Sequence, residues 1–456
     1  MQNLKHSVAL AALLVCGGAT AAPAKNIVFF LGDGMGPAII TAARIHKYKE
    51  EGLLHFEKME RVARIKTYSA DAQTTDSAPS MGAYMTGIKI NNDVISMADA
   101  RPVSATKDAQ GNNTVNRCEA GNGRPARTLL ELAKAAGKSV GAVTTTELTH
   151  ATPASTFAHI CHRGAGYAIA TQIVPGGAGY NRALGDGVDV LMGGGRNHFT
   201  PFEASTNPKG RSDGRDLMAE FAARGYTVAR DRGAMLAAPA GKKFIGIYSD
   251  SGHLEYDDRR PDTQPTLAEM AVKAVDMLAG DRDGFFLMVE GGKIDHGLHN
   301  TRPRDAIGEL IAFDDAVKAT LDRLAVLDPG LRNTLVVLTA DHDHALAFNG
   351  YAKRGNSVLD VVRTYTDGQP TLDADGKTYT TLVFGNGPKR PDLRENVDEA
   401  ALAGRDYQHD TGVRLSGETH GGGDVKLYAA GAGSEAFKGT MENTRVFHLM
   451  KAAAGL

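Results

Sequence analysis

The feature that most constrains this chain is a repeated alternation of near-continuous apolar runs with amphipathic stretches. Runs at residues 25–34 (KNIVFFLGDG), 139–146 (SVGAVTTT), 188–195 (VDVLMGGG), 284–292 (GFFLMVEGG) and 333–342 (NTLVVLTADH) show no polar alternation, so each predicts a strand covered on both faces. Further strands are expected at 63–70, 380–385 and 424–431. Helices are expected at 37–49, 77–84, 127–137, 153–161, 213–224, 266–278, 304–324 and 442–453. The predicted fold is α/β, a doubly wound, mostly parallel central sheet with helices on both faces. Residues 91–124 lack a period and read as surface loops. The polar stretch 351–377 predicts a small irregular, crown-like insertion near 350–410.

The 456 residues suit one large α/β domain or two smaller ones, and the net charge of −2 provides no field for nucleic acid. Residues 1–21 have the form of a cleaved signal peptide: a basic Lys5, a short apolar core, and the small residues Ala19 and Ala21 at a cleavage position. That core is too short to span a bilayer, and no other segment is long and apolar enough to do so. An exported protein, secreted or periplasmic, is therefore expected. Cys118 and Cys161 remain after removal of Cys16, and in an oxidising compartment one disulfide between them is the expectation.

Ligands of open α/β sheets sit beyond the carboxyl ends of the strands. Here those ends deliver Asp33, then Glu290 with Asp295 and His299, then Asp341 and His342, and then Glu147, His150 and Thr152. Like charges gathered on one rim repel, and bound cations remove that penalty. Mixed Asp and His donors suit zinc, whereas oxygen donors suit magnesium. Taken singly, GDGMG is a glycine turn, TTDSAPS a capped helix start, and His420 a solvated loop residue. TADHDH is harder to dismiss, because four titratable residues directly after a buried strand are costly without a role. In EGGKIDHGLHN, Asp295 and His299 are four apart and share one face of a helical turn.

The run QTTDSAPSMGAYMTG places Ser77 at a helix start. A serine hydroxyl is a weak nucleophile at neutral pH and needs a base or a metal.

Together GDGMG, TTDSAPS, VEGGKIDHGLHN, TADHDH and ETHGGGDV occur in the order found in the alkaline phosphatase family, and THATPASTFAHICHRG resembles its phosphate-binding segment. The resemblance spans Asp33 to Asp424. It implies one catalytic domain over residues 22–456 that hydrolyses phosphate monoesters at alkaline pH through a phosphoserine on Ser77. It implies two Zn2+ and one Mg2+: Asp295, His299 and His420 around the first zinc; Asp33, Asp341 and His342 around the second; Asp33, Thr152 and Glu290 around the magnesium. Zinc would activate Ser77 directly, so no general base is required. Arg163 matches the phosphate clamp, with Asp76 and His296 beside the substrate. His150 is placed behind the magnesium donors, because magnesium prefers oxygen. His150 and His296 are the pairing found in animal-type members; the calcium that such members also hold is not expected here, since residues 248–266 do not reproduce its pattern. Inorganic phosphate should bind as a product inhibitor, and a homodimer is usual in the family.

Two other classes compete. A phosphodiesterase, phosphonate hydrolase or sulfatase could use a related metal scaffold. Sulfatases need Cys/Ser-x-Pro-x-Arg, however, and Met81 stands where that arginine would be. A non-catalytic phosphate- or zinc-binding protein would not need the Ser77 hydroxyl.

Overall fold

The computed structural model describes residues 23–108, 111, 113–402 and 404–456, so the expected signal segment lies outside the described residues. Ten strands form one sheet in the order Gly439–Glu442, Arg61–Lys66, Val425–Gly431, Thr334–Ala340, Asn26–Gly32, Phe285–Gly291, Ser139–Glu147, Val190–Gly194, Phe244–Ile247 and Thr227–Ala229. The seven strands from Thr334–Ala340 to Thr227–Ala229 are mutually parallel, and Val425–Gly431 runs antiparallel to both its neighbours. The α/β expectation holds.

Adjacent residues of a strand point to opposite faces, and the central strand shows what covers each. Phe30 meets Phe313 of the Pro303–Leu327 helix, with ring centroids 6.1 Å apart, while its neighbour Phe29 meets Tyr84 of the Ser77–Thr86 helix at 5.7 Å. Helices Pro37–Tyr48 and Leu267–Leu278 pack with Pro303–Leu327; Ala151–Phe157 and Asn443–Ala453 pack with Ser77–Thr86. Both phenylalanines are fully buried, each burial contributing about 1.5–3 kcal/mol relative to exposure.

Several elements depart from the sequence reading in extent. The helix expected over 213–224 is Leu217–Ala223, because Asp213 pairs with Arg211 and Asp216 caps the helix by accepting from the Ala219 N–H. The helix expected at 153–161 begins at Ala151 and ends at Phe157, where Ala158 turns extended. Thr227–Ala229, Phe244–Ile247 and Gly439–Glu442 were not anticipated; strands of three or four residues carry too little periodicity to read. Residues 91–125 are mostly irregular, with a short Met97–Ala98/Arg124–Pro125 pair over a small apolar cluster of Ile90, Val94, Met97 and Ala100. In the predicted insertion, Leu346–Phe348, Leu382–Gly387 and Thr411–Arg414 form a separate three-stranded sheet. Cys118 and Cys161 form a disulfide.

Register sets the site. Gly32 lies level with Ala340 on one side and Gly291 on the other, so the residues that follow these three strands emerge along one rim.

Candidate active site

Asp33 follows its strand and is fully buried, and neither carboxylate oxygen has a hydrogen-bond partner. Burial pushes its pKa well above the ordinary value, and the nearby Asp341, Asp295 and Glu290 push it further. Asp341 Oδ1 accepts from the N–H groups of Gly34 and His342, at 2.9 and 3.0 Å, while Oδ2 is unpartnered. Gly34 is obligatory here: its φ is +64°, and a Cβ would lie 2.4 Å from Nε2 of His344.

His342 is fully buried. Its Nδ1 faces the Asp343 carbonyl at 3.3 Å, which puts the proton on Nδ1 and leaves the Nε2 lone pair free. That Nε2 lies 3.3 Å from Asp33 Oδ1, 3.2 Å from Asp341 Oδ2 and 3.3 Å from Ser77 Oγ. Ser77 opens the Ser77–Thr86 helix, all of whose residues are buried. Tyr84, two turns on, donates its hydroxyl to the Ala340 carbonyl at 2.8 Å, tying this helix to the strand that delivers Asp341.

Asp295 and His299 both lie on the helix Lys293–His299, facing the same way as their spacing predicts. Asp295 Oδ1 lies 3.2 Å from His299 Nε2, 2.8 Å from His344 Nε2 and 3.4 Å from His420 Nε2. Burial raises the Asp295 pKa, but the His299, His344 and His420 rings around it outweigh burial and hold the carboxylate well below its usual range. Nδ1 of His299 faces the Glu418 carbonyl at 2.5 Å, and Nδ1 of His420 faces the Thr75 carbonyl at 2.8 Å. Both protons therefore sit on Nδ1, and two Nε2 lone pairs point at each other across 3.0 Å. Opposed lone pairs repel unless a cation stands between them, and an Asp/His donor set of this kind fits zinc.

Glu290 is fully buried; its Oε2 accepts from Thr144 and, at 3.1 Å, from Thr146, while Oε1 is unpartnered. Burial lifts its pKa to about 7 despite the threonine donors. Thr152 Oγ1 is likewise buried without a partner. A nitrogen of His150 falls within 4.8 Å of donor atoms of Asp33 and Glu290. The sequence reading kept His150 behind these donors; the fold stands it among them. Unpartnered buried oxygens carry a desolvation cost of about 1–3 kcal/mol each, and here they converge on a space that an oxygen-preferring cation fits.

Arg163 donates through Nη1 to Asp76 and through Nη2 to His150 Nε2, at 3.1 Å. Its backbone N–H donates to the Asp93 carbonyl at 2.7 Å, and Cys161, two residues earlier, is held by the disulfide. The N–H of Asp93 donates to the other Asp76 oxygen at 3.3 Å. Asp76 thus bridges Arg163 and the start of the Ser77 helix. His296 stands beside His150 and His253, with ring centroids 5.9 and 4.3 Å away, and burial lowers its pKa to about 4.

Two contributors escaped the sequence reading. His344 spans Asp295 and Glu418 at 2.8 and 2.7 Å; burial opposes its charge, but the two carboxylates raise its pKa to about 10. It is the second histidine of TADHDH, the one signal that pointed to it. His253 accepts from the Glu147 N–H at 3.0 Å, and nothing in its local sequence marked it. Away from these clusters, His159 bridges Glu131 and the Ser96 carbonyl, and His198 contacts Thr149.

The comparisons with known proteins point to one family. The family model for alkaline phosphatase matches residues 24–456. The tissue-nonspecific alkaline phosphatase of Gallus gallus is 35% identical over 462 residues, covering 94% of this chain and 84% of that protein. The alkaline phosphatase of Gadus morhua is 35% identical over 460 residues, covering 94% and 92%. Among solved structures, the alkaline phosphatase of Thermus thermophilus has a TM-score of 0.68 at 25% identity, covering 98% of this chain and 96% of that one. That of the Antarctic bacterium TAB5 has a TM-score of 0.65 at 24% identity and shares the fold. With a matching family model over nearly its whole described length and buried Asp/His/Glu donors gathered at the strand ends, this chain belongs to the alkaline phosphatase family of metal-dependent phosphomonoesterases.

Proposed function

We propose that this protein is an exported alkaline phosphatase that hydrolyses phosphate monoesters through a phosphoserine on Ser77, with two zinc ions and one magnesium ion. Asp295, His299 and His420 would hold one zinc, Asp33, Asp341 and His342 the other, and Asp33, Thr152 and Glu290 the magnesium. The observation that carries the reading is the 3.3 Å approach of Ser77 Oγ to His342 Nε2, inside the Asp33–Asp341–His342 donor set. Bound zinc supplies Lewis acidity that lowers the pKa of an oxygen it binds by several units.

The chain supplies the rest. Arg163, braced by Asp76, presents its guanidinium edge to two unesterified oxygens of the phosphoryl group. Ser77 sits where a helix start offers backbone N–H donors to the same group. Its oxygen bonds to phosphorus as the alcohol leaves; a water then attacks phosphorus and returns the Ser77 hydroxyl. Two in-line displacements retain configuration at phosphorus. Product phosphate keeps every contact of the phosphoryl group, so it binds and inhibits.

Rapid acid quench during turnover, followed by mass spectrometry of the Ser77 peptide, tests the covalent route; phosphate on another residue, or on none, excludes it. Export is supported by the form of residues 1–21 and by the Cys118–Cys161 disulfide, and among the described residues no helix is long and apolar enough to cross a membrane. Pairing into a homodimer is supported by exposed apolar side chains of the insertion, including Tyr351, Tyr365 and Leu393.

A further inference from the structure

The ring of His296 has no hydrogen bond to fix it. Asp295 Oδ2 is 4.0 Å from its Nε2, too far for one, and among the described residues no other group bonds either ring nitrogen. The imidazole torsion is broad and two-fold, so an unbonded ring turns unless its neighbours stop it. Two rings border His296: His150, with centroids 5.9 Å apart, and His253, 4.3 Å away and inclined at 73°. The His253 contact is close and nearly edge to face, so it is the one that restricts turning. His296 also follows Asp295 in its helix, and the ring of His150 leads on to Arg163. It therefore flanks the space between the Asp295 cluster and the Arg163 guanidinium.

His253 is itself held firmly. Its Nδ1 accepts from the Glu147 N–H at 3.0 Å; a backbone N–H only donates, so the ring is neutral with its proton on Nε2. The next residue repeats the hold, since the Leu254 N–H donates to the Thr145 carbonyl at 2.9 Å. The loop is thus bonded twice to the end of the Ser139–Glu147 strand. From the other side, buried Lys293 donates through Nζ to the Leu254 carbonyl at 2.9 Å and stands 3.8 Å from the centroid of the Tyr256 ring. Lys293 opens the helix that carries Asp295 and His296. Burying an ammonium is costly, and here its hydrogen bond goes to the backbone beside His253. Further along, the Asp257 N–H donates to Glu309 Oε1 of the Pro303–Leu327 helix at 2.6 Å.

We propose that His253 is a positioning residue: fixed to the strand that ends at Glu147, it holds the His296 ring against the space where the phosphoryl group binds. The inference rests on the phosphomonoesterase reading above and adds to it a residue that belongs neither to the metal donors nor to the arginine clamp. His253 acts through His296 alone, by ring contact, while its own Nδ1 serves only to anchor it. The anchor and the contact are thus made by different parts of one side chain, and substitution separates them.

A double-mutant cycle tests this, at one fixed pH and with metal content verified by elemental analysis. His253→Asn keeps an acceptor for the Glu147 N–H but removes the ring that meets His296; His253→Ala serves if the asparagine variant misfolds. Two quantities are read: kcat/KM for a chromogenic phosphomonoester, and the calorimetric affinity for inorganic phosphate. His253→Asn should lower both at least about fivefold, and His296→Ala should lower both as well. In the His296→Ala background the same His253 substitution should change neither by more than about twofold. A residue that only braces its loop would cost the same factor in both backgrounds. That outcome overturns the proposal and leaves the enzymatic reading intact, as does wild-type behaviour of either single variant. Wild-type protein that neither hydrolyses the monoester nor binds phosphate overturns the proposal and the reading together.

Discussion

Ser77 Oγ lies 3.3 Å from Nε2 of His342, although the two residues are 265 positions apart in the chain. The contact exists because Tyr84 anchors the Ser77 helix on the strand that delivers His342. Burial, with His420 alongside, holds the His342 pKa well below 6.5, which makes it a weak base toward Ser77. Replacing the hydroxyl should therefore remove the nucleophile without disturbing the donors. Ser77→Ala is expected to lose turnover of a chromogenic phosphomonoester by on the order of 10³-fold or more while retaining wild-type zinc by elemental analysis. Full turnover in that variant would sink the covalent route.

The metal-free rim carries raised acids, and this sets a pH dependence. Burial raises Glu290 from 4.5 to about 7, and raises Asp33 as well. A raised acid contributes stability while protonated: the contribution is complete below 4.5 and is lost as pH climbs through about 7. A bound cation takes the place of the proton and removes that loss. Chelator should abolish activity and zinc with magnesium should restore it. The difference in Tm between loaded and chelated protein should widen from pH 5 to pH 8. A constant or shrinking difference would show that these carboxylates do not face the ions.

Much of this site was legible in the sequence because it lies at strand ends. A buried strand is read from its apolar run, and its end locates Asp33, Glu290 and Asp341 without knowledge of strand order. Asp295 and His299 followed from helical spacing. His344 was not legible as a site residue, because its role depends on Glu418, 74 positions away and on a different loop. His253 was missed for a similar reason: it reaches the cleft from the loop after a four-residue strand too short to read. Within the insertion only the strand expected at 380–385 was legible, found as Leu382–Gly387; the pairings of its three short strands, one of them parallel, leave little periodicity elsewhere.

The His344–Glu418 pair offers a test that separates donors from the residues that orient them. Glu418 Oε2 accepts from His344 Nδ1 at 2.7 Å, Oε1 accepts from the Ala345 N–H at 2.7 Å, and the Glu418 carbonyl faces His299. Glu418→Gln keeps the shape but removes the charge that helps hold His344 as an imidazolium against Asp295. Zinc affinity measured by chelator competition should fall about 10–100-fold. Activity at saturating zinc should fall by less. Unchanged zinc affinity would mean that His344 does not orient Asp295.

Arg163 offers a test between monoester and diester chemistry, and so between the proposed activity and its nearest rival. A terminal phosphate presents two or more unesterified oxygens to a guanidinium fork, whereas a diester presents fewer charged oxygens and one bulky substituent. Each charge-assisted bond contributes about 1.5–3 kcal/mol. Arg163→Ala should therefore reduce kcat/KM for a phosphomonoester by about 10²-fold or more, since 1.4 kcal/mol corresponds to a factor of ten, and should affect a diester much less. The loss should fall mainly on discrimination, because neither cluster proposed to hold zinc includes Arg163: zinc content should not change. An equal loss on both substrates would show that the clamp reads charge near the metals and not the unesterified end. A larger loss on the diester would favour a phosphodiesterase on the same scaffold.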